Sequence, residues 1–442
     1  MLKWSLEESV NRAPFDGHHA TILMRSNELF SKNCHKLNLA FIFVCFFGGF
    51  APAICLTGCG NSHIPSQSVS AIENSIDSPS DTEDSVSADN GVTIISDPSS
   101  LAQKTKTIVH EDLQKAAAED DAFPIANTYG DLCVPTYINK IGDTYFLVDC
   151  YHNQVIYHDN LKDPIWQWNV LPGELAMPHT IASDGTVYLV DDTENHRVVV
   201  YEKYEDHFLI TQTFDSIGSR PHFIQYNEAD RTFYVWSSMT GEMYLFQRED
   251  VAEEDSSERT LADGVLSHRA SAENTLVDGT PDAEGSYYTP VKLVEIRKMN
   301  KLDNIYVRSF TIMDDEVYFV SGNSTIIRAK LSDFTILEEY PVPAELAGMI
   351  QLTKIDNMYY LTISTDITGN QDFATIIRAK DLKDLISGDY EDIYDSFVGG
   401  GTPYYISEIN GTYYMTEHRI PGHSLWSFRV EKDELKDITA IY

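Results

Sequence analysis

The sequence predicts an all-β protein, a six-bladed β-propeller of four-stranded blades. Three observations predict it. A turn followed by an aromatic-centred strand recurs six times, most of the intervals lie in the forties, and no long helical period follows residue 125. Short strands between Gly, Asn and Asp turns are typical of all-β folds. We expect the units to close into a ring, because each would otherwise leave both sheet faces exposed.

The composition limits the classes of function. The chain has 442 residues, with 32 Lys and Arg against 68 Asp and Glu, and a formal net charge of −36. Such a surface repels phosphate backbones, so we expect no nucleic-acid binding. Charge alone would not hold the protein on an anionic membrane. The 25 Tyr and 20 Phe exclude a wholly disordered chain.

The first sixty residues indicate where the protein is located. An apolar, uncharged run at 37–55 follows two lysines and precedes Leu56-Thr57-Gly58-Cys59. This order resembles the signal and lipobox of bacterial lipoproteins. The resemblance implies that residues 1–58 are a signal peptide and that Cys59 is acylated, for example with palmitate. It also implies that the protein is anchored through lipid on the extracytoplasmic face of a bacterial membrane. An uncleaved transmembrane helix is the alternative.

Two features flank that signal. Residues 1–23 make the region before the apolar run unusually long, so Met24 is the more natural start. Residues 59–120 are acidic and Ser-rich with few aromatics, which predicts a flexible linker. Within it, 111–119 has the pattern of a short helix. The propeller is then expected over 121–442.

Six equivalent tyrosines mark the repeated unit: Tyr145, Tyr188, Tyr234, Tyr318, Tyr360 and Tyr414. Their intervals are 43, 46, 84, 42 and 54 residues. The long interval contains residues 250–290, an acidic, Ser-rich stretch that we interpret as an insertion in the third blade. Its removal restores an interval in the forties. The same hexapeptide, Thr-Ile-Ile-Arg-Ala-Lys, occurs at 325–330 and at 375–380.

The first two units resemble the NHL repeat. The second unit matches better, through Pro178-His179-Thr180-Ile181, Asp184-Gly185, Val190-Asp191 and Asn195-His196-Arg197. The likeness covers about 134–250, and the last three units lack the Asn-x-Arg signature. The resemblance implies a six-bladed propeller. Most members of that family bind proteins, nucleic acids or glycans, and related propellers include lyases and lactonases, so the fold does not choose a function.

Propeller topology predicts where ligand-binding residues lie. The starts of the inner strands and the ends of the second strands share one face beside the central channel, a usual ligand position. On this loop face we place the following candidates: His179, His222, Arg308, Tyr404, Asp149, His152, Asp191, Trp236, Glu417, His418 and Arg419.

Three interpretations of these residues stay open. In the first, His179 and His222 converge as a metal or acid–base site, oriented by nearby carboxylates; no recognised metal-binding spacing such as H-E-x-x-H supports it. In the second, Tyr404, Tyr405, Tyr151 and Trp236 form a recognition rim. In the third, Asp191, Asn195 and Arg197 are structural and bond loop backbone. The leading function rests on the second interpretation.

The leading prediction is a lipid-anchored propeller that binds an extracellular or envelope glycan, peptide or protein through the loop face. The alternative is an enzyme, a lyase or a hydrolase such as a lactonase, that uses His179 and His222 with or without a divalent metal. A third is a structural partner in an envelope complex, which an exposed apolar patch would indicate. No other cofactor is expected.

Cys133 and Cys150 flank the first hairpin at equal distances from its turn at 141–142. This spacing places them opposite each other, and a disulfide between them is plausible in an exported protein. The alternative is two buried thiols.

Overall fold

The structure is a computed structural model that describes residues 91–110, 124–249, 289–364, 374–397, 401–418 and 422–442. The expected signal peptide, Cys59, the segment 111–119 and nearly all of the 250–290 insertion lie outside these ranges. Ahead of the ring the chain forms β1 (Val92–Ile95), α1 (Pro98–Lys104), β2 (Lys106–Val109) and β3 (Ile125–Ala126).

Six antiparallel sheets follow, and each begins with an inner strand at the channel. Blade 1 contains β4 (Pro135–Ile141), β5 (Thr144–Asp149), β6 (Gln154–His158) and β7 (Asn169–Val170). Blade 2 contains β8 (Ile181–Ser183), β9 (Val187–Asp192), β10 (Arg197–Tyr204) and β11 (His207–Asp215). Blade 3 contains β12 (Pro221–Asn227), β13 (Thr232–Ser237), β14 (Glu242–Arg248) and β15 (Val291–Met299).

The second half of the ring repeats the pattern. Blade 4 contains β16 (Val307–Met313), β17 (Glu316–Ser321), β18 (Thr325–Lys330) and β19 (Ile336–Pro341). Blade 5 contains β20 (Met349–Ile355), β21 (Met358–Ile363), β22 (Thr375–Ala379), α2 (Leu382–Ser387) and β23 (Glu391–Asp392). Blade 6 contains β24 (Thr402–Ile409), β25 (Thr412–His418), β26 (Leu425–Glu431) and β27 (Glu434–Ala440).

The predicted fold is confirmed in detail. All six repeated tyrosines lie on the second strand of their blades, and the two copies of the hexapeptide begin the third-strand segments of blades 4 and 5. The expected insertion falls between β14 and β15. Within the described residues, the hydrophobic core is divided into six clusters, one at each junction between blades. Each blade therefore buries both faces, which is what closes the ring.

The segment before the ring differs from the prediction. Residues 91–110 were expected to be flexible linker, and this is wrong, because they form β1, α1 and β2 and both strands are paired in the sheets. β1 joins the outer edge of blade 3, β2 that of blade 2 and β3 that of blade 1. We call residues 91–110 and 124–126 the N-terminal belt, since they follow the outer rim in the order opposite to the blades.

Blades 6 and 1 meet without exchanging strands. Thr416 Oγ1 donates to the carbonyl of Thr136 at 3.1 Å, and Tyr442 Oη donates to the carbonyl of Asp163 at 2.7 Å. The Tyr442 ring lies edge-on to Trp168, with centroids 6.3 Å apart. The last residue of the chain thus helps to close the ring.

The helices are short. α1 has seven residues and begins after Asp97, whose carboxylate accepts the backbone N–H of Ser99 at 2.9 Å. Throughout the described ranges no helix has the length and apolarity needed to span a membrane.

The predicted Cys133–Cys150 disulfide is wrong, because Cys150 is a buried thiol. Beyond its bulge, where the two cysteines lie, the first hairpin pairs one residue out of step with the prediction. The N–H of Cys150 bonds the carbonyl of Val134, and the N–H of Tyr151 bonds that of Cys133. Since successive side chains of a strand point to opposite faces, this offset of one residue separates the two sulfurs.

Candidate functional site

Six side chains, one from each blade, surround the channel where the inner strands begin: Thr136, His179, His222, Arg308, Ile350 and Tyr404. We call this the channel mouth. Thr136, His222, Arg308 and Ile350 are the second residues of their inner strands, Tyr404 is the third, and His179 lies two residues before β8. The enclosed space is small, about 10 Å³, which is room for one water molecule. A larger ligand would therefore rest on the mouth rather than inside it.

A β-bulge at the start of the inner strand aims these side chains. The pairing of first and second strands shifts by one residue at this position in blades 1, 3, 4, 5 and 6. The extra residue is left out of the ladder and turns toward the channel. In blades 1 to 3 the residue before the leading proline has positive φ: Val134 (61°), Met177 (55°) and Arg220 (60°). This conformation is costly for a β-branched valine.

The two histidines expected to converge do so. The rings of His179 and His222 stack with centroids 3.7 Å apart and planes inclined by 29°. Both side chains are buried. His222 Nδ1 lies 2.9 Å from the carbonyl of Arg308, so Nδ1 carries the proton and Nε2 accepts from the hydroxyl of Tyr306 at 3.1 Å.

His179 sits on a hydrogen-bonded relay. Its Nδ1 lies 3.0 Å from Thr193 Oγ1, and that hydroxyl lies 2.8 Å from both Asp191 Oδ2 and the carbonyl of Pro221. Because the hydroxyl donates to one of those oxygens, it accepts from His179 Nδ1–H. His179 Nε2 then faces the sulfur of Cys150 at 3.8 Å.

Both imidazoles are held neutral. Burial, followed by the positive charge of Arg220 and then of His418 and Arg308, lowers the pKa of His179 to about 3. Burial, with His179, Arg220 and Arg308, lowers the pKa of His222 well below its usual value. A base with so low a pKa accepts protons poorly near neutrality. For the same reason the imidazolium–thiolate pair that a catalytic cysteine needs is disfavoured for His179 and Cys150.

The pair does not form a chelate. Imidazole lone pairs lie in the ring plane, so two stacked rings do not point at a common ion, and both Nδ1 atoms already have partners. Among the described residues no group of three His, Cys, Asp or Glu is placed to hold a metal. The residues present do not fit a metal bound jointly by His179 and His222.

Arg308 is the distinctive charge of the mouth. Its Nη1 donates to the carbonyl of Gly348 at 3.3 Å, and its guanidinium lies 5.1 Å from the centroid of the Tyr306 ring. No carboxylate of the described residues lies within 4 Å of it. Seven other arginines of the same ranges do have such a partner: Arg197, Arg220, Arg248, Arg297, Arg328, Arg378 and Arg429. In a chain this acidic, a guanidinium without a carboxylate suits an anionic ligand.

Aromatic rings flank that charge. Tyr404 stacks on His418 with centroids 4.9 Å apart and lies 6.3 Å from His179. Burial raises the pKa of Tyr404 well above its usual value. His418 is tied to the carbonyl of Pro135 by its Nε2 at 2.9 Å. These two candidates therefore belong to the mouth, as part of its wall.

The acidic candidates lie behind the mouth and bind protein groups. Asp191 is fully buried and accepts the N–H groups of His179 at 2.9 Å and Thr180 at 2.6 Å, besides two hydroxyls. Burial raises its pKa to about 7, and the hydrogen bonds from Thr180 and Thr193 oppose that rise. Asp149 accepts the N–H of Cys133 at 2.7 Å and contacts His152 Nδ1 at 2.6 Å.

The structure does not place the remaining candidates at the channel mouth either. Glu417 is buried between the hydroxyl of Tyr394 and the indole N–H of Trp426, the latter at 2.6 Å. Trp236, expected on the recognition rim, is instead completely buried against Phe319, with centroids 4.7 Å apart. His152 stacks on Tyr129. Arg419 lies outside the described residues.

Asp191 bonds backbone N–H groups, as the third interpretation predicts, but Asn195 and Arg197 bond Asp192 rather than Asp191. Asn195 Nδ2 and Arg197 Nε reach Asp192 Oδ2 at 2.9 and 2.6 Å, and Asp192 Oδ1 accepts the N–H of Ala176. Asp192 is therefore the counterpart of Asp149, since each precedes a short 3-10 turn at the end of its second strand.

Sequence reasoning missed Tyr306 and Thr193. Tyr306 precedes Arg308 by two residues, and aligning it with Arg220 and Met177 in the neighbouring blades would have drawn attention to it. Thr193 lies between two candidates, Asp191 and Asn195, and only its burial and its bond to His179 distinguish it.

The strand pairing above defines a six-bladed β-propeller with an arginine- and tyrosine-lined mouth. No protein-family model matches the chain, so the NHL resemblance gains no support there. No curated protein matches it either.

Several solved structures are similar at a low level. Streptogramin B lyase is 12% identical with a TM-score of 0.41, over 77% of this chain and 87% of that one. Sqt1 from Saccharomyces cerevisiae is 9% identical with a TM-score of 0.42, over 71% and 86%. Hydrazine synthase from Kuenenia stuttgartiensis is 12% identical with a TM-score of 0.38, over 70% and 80%. At these values no activity or ligand carries over to this chain.

Proposed function

We propose that this protein is an exported, lipid-anchored propeller that binds an anionic group of an extracellular or envelope ligand at the channel mouth. The observation that carries the proposal is Arg308, a guanidinium at the mouth with no carboxylate within 4 Å among the described residues. The resemblance of residues 56–59 to a lipobox supplies the location, with Cys59 as the acylated residue.

An acidic glycan is the ligand class that fits best. Tyr404 lines the mouth together with Arg308, and Tyr306 lies 5.1 Å from the Arg308 guanidinium. Sugar rings stack on aromatic side chains, while a guanidinium pairs with their carboxylates. A docking surface for a protein would be more apolar. The large hydrophobic side chains that are exposed in the described ranges are Val109, Ile125, Trp166, Leu337 and Ile386, and none lines the mouth.

Catalysis by His179 and His222 is the second candidate, as a lyase or as a hydrolase such as a lactonase. The low pKa of both imidazoles makes them weak bases at neutral pH. An anion bound at Arg308 would offset part of the positive charge that lowers those values. Catalysis would therefore depend on the binding that we propose, which is why binding is placed first.

The test measures binding of polygalacturonate, with neutral dextran as the uncharged comparison, to the protein and two variants. Arg308→Gln removes the unpaired charge, whereas Arg429→Gln removes an exposed charge that Asp437 already pairs. We expect Arg308→Gln to weaken polygalacturonate binding at least tenfold and Arg429→Gln to leave it unchanged. Equal binding of dextran, or an equal loss in both variants, would overturn the proposal. Polyglutamate binding without polygalacturonate binding would assign a peptide ligand instead.

The same samples address catalysis. A rise in absorbance from unsaturated uronate during incubation would identify a lyase, and its loss in His179→Ala would assign that residue to the reaction. Location is tested separately by labelling cells with an alkyne analogue of palmitate. We expect label and membrane association in the parent, and neither in Cys59→Ala.

A further inference from the structure

A second cavity lies at the opposite end of the channel and measures about 320 Å³. Its walls are the ends of the inner strands of blades 1, 3, 4, 5 and 6. This volume is within the range of small-molecule sites. We propose that this lower cavity binds a neutral, polyhydroxylated small molecule of monosaccharide size.

An aromatic plug separates the lower cavity from the channel mouth. Tyr405 lies 5.0 Å from Tyr137 and 5.1 Å from Phe223, measured between ring centroids. These rings come from three different blades and pack against one another across the channel. The lower cavity is therefore a separate site, independent of Arg308 and of the function proposed for the mouth.

The lining has the chemistry of a sugar site. Its polar side chains are amides and hydroxyls: Asn139, Gln225, Thr311, Gln351, Thr353 and Ser407. Such groups both donate and accept, as sugar hydroxyls do. The two charged lining residues, Lys354 and Glu408, are exposed, have opposite signs and come from adjacent blades. The cavity thus carries no net charge that would select an ion.

Thr353 supplies the clearest unused hydroxyl. It lines the cavity, it is half-buried, and no hydrogen-bond partner for its hydroxyl is found among the described residues. A hydroxyl that no protein group uses, in the wall of a polar cavity, is available to a bound polar molecule.

The wall that carries Thr353 is held rigidly. Gln351 accepts the N–H of Ile406 at 2.7 Å and donates to its carbonyl at 2.9 Å, which ties blade 5 to blade 6. Both polar groups of the Gln351 side chain are therefore used in structural hydrogen bonds, whereas two other amide side chains of the lining use only their oxygen. Gln225 uses its carbonyl for the N–H of Ile312 at 3.1 Å, and Asn139 uses its own for that of Lys140 at 2.8 Å. No acceptor for either amide nitrogen is found among the described residues.

The ceiling is apolar and aromatic. Tyr137 and Tyr405 form the upper wall, where the C–H face of a pyranose would stack. A site with amides and hydroxyls around its sides and aromatic rings at its end matches the two kinds of surface of a neutral sugar.

The experiment uses isothermal titration and saturation-transfer NMR with glucose, galactose, mannose and myo-inositol. Thr353→Val removes an unused hydroxyl of the cavity and keeps the shape of the side chain. The matched control is Thr144→Val, because Thr144 is also half-buried, with no hydroxyl partner among the described residues, but lines neither cavity. Neither variant should lower the unfolding midpoint, since neither hydroxyl has a partner among the described residues.

We expect at least one of these compounds to bind, and Thr353→Val to weaken it by a factor of about 3–10, the value of one hydrogen bond. Thr144→Val and Arg308→Gln should bind as the parent does, and the latter keeps this test separate from that of the mouth. Absence of binding to all four compounds would overturn the proposal, as would unchanged affinity in Thr353→Val.

Discussion

Replacing Thr193 by valine tests whether the relay beneath His179 stabilises the protein. The substitution keeps shape and volume but removes the hydroxyl that links His179 Nδ1, Asp191 Oδ2 and the carbonyl of Pro221. It deletes one hydrogen bond to a buried carboxylate and leaves one buried imidazole N–H without an acceptor. The first loss costs about 1.5–3 kcal/mol and the second about 1–3 kcal/mol. We expect the free energy of unfolding to fall by about 3–5 kcal/mol.

Thr402→Val is the matched control. Thr193 is 0% exposed and Thr402 2%, but the hydroxyl of Thr402 has no hydrogen-bond partner. Its replacement should change the free energy of unfolding by no more than about 0.5 kcal/mol, or increase it.

The assay is urea denaturation at pH 7, followed by tryptophan fluorescence. Nitrogen NMR of the imidazoles gives a second readout. Without the Thr193 hydroxyl, Nδ1–H of His179 loses its acceptor, so we expect the tautomer with the proton on Nε2 to become more populated. Similar losses in the two variants, or a loss below about 1 kcal/mol in Thr193→Val, would refute the reasoning.

Three further predictions concern the rest of the ring. Gly241→Ala should lower the free energy of unfolding, measured by thermal denaturation, by at least about 2 kcal/mol more than Gly142→Ala. Both glycines have positive φ, but only at Gly241 would a Cβ meet backbone, 2.6 Å from the carbonyl oxygen of Met299. Burial raises the pKa of Glu202 from 4.5 to about 7, so its contribution to stability is present below pH 4.5 and lost as the pH rises through 7. Urea midpoints of Glu202→Gln should therefore show a flatter pH dependence than the parent between these values. Tyr442→Phe keeps the ring but loses the bond to Asp163, and its unfolding free energy should be lower by about 1 kcal/mol in urea.

The ring could be predicted because its signal is local and repeated. Tyr188 and Tyr360, for example, lie in short, mainly apolar runs bounded by turns, and six such runs identify the second strands. The N-terminal belt could not be predicted in the same way. β1 has four residues in an acidic, Ser-rich context, and it is held by pairing with Met299 and its neighbours some two hundred positions later. No local pattern carries that information.

The residues of the channel mouth could likewise be predicted only in part. The proximity of His179 and His222 follows from equivalent positions in adjacent blades. The errors in the predicted site had two causes: strand pairing offset by one residue, and side chains buried more deeply than expected. A shift of one residue in the first hairpin separated Cys133 from Cys150, and the count of residues along a strand does not reveal that Trp236 is buried.

The belt also decides how the protein would carry a mechanical load. Val92 pairs with Met299, and that end of β15 lies on the same face as Pro221, where the inner strand of blade 3 begins. A pull through the residues before Gly91 therefore arrives at the mouth face and meets β1 first. Its four paired residues would open one at a time from that end, and β2 would follow on blade 2. Tension would be dissipated at the rim, and the hydrogen bonds between blades 6 and 1 would bear none of it until the belt had peeled away.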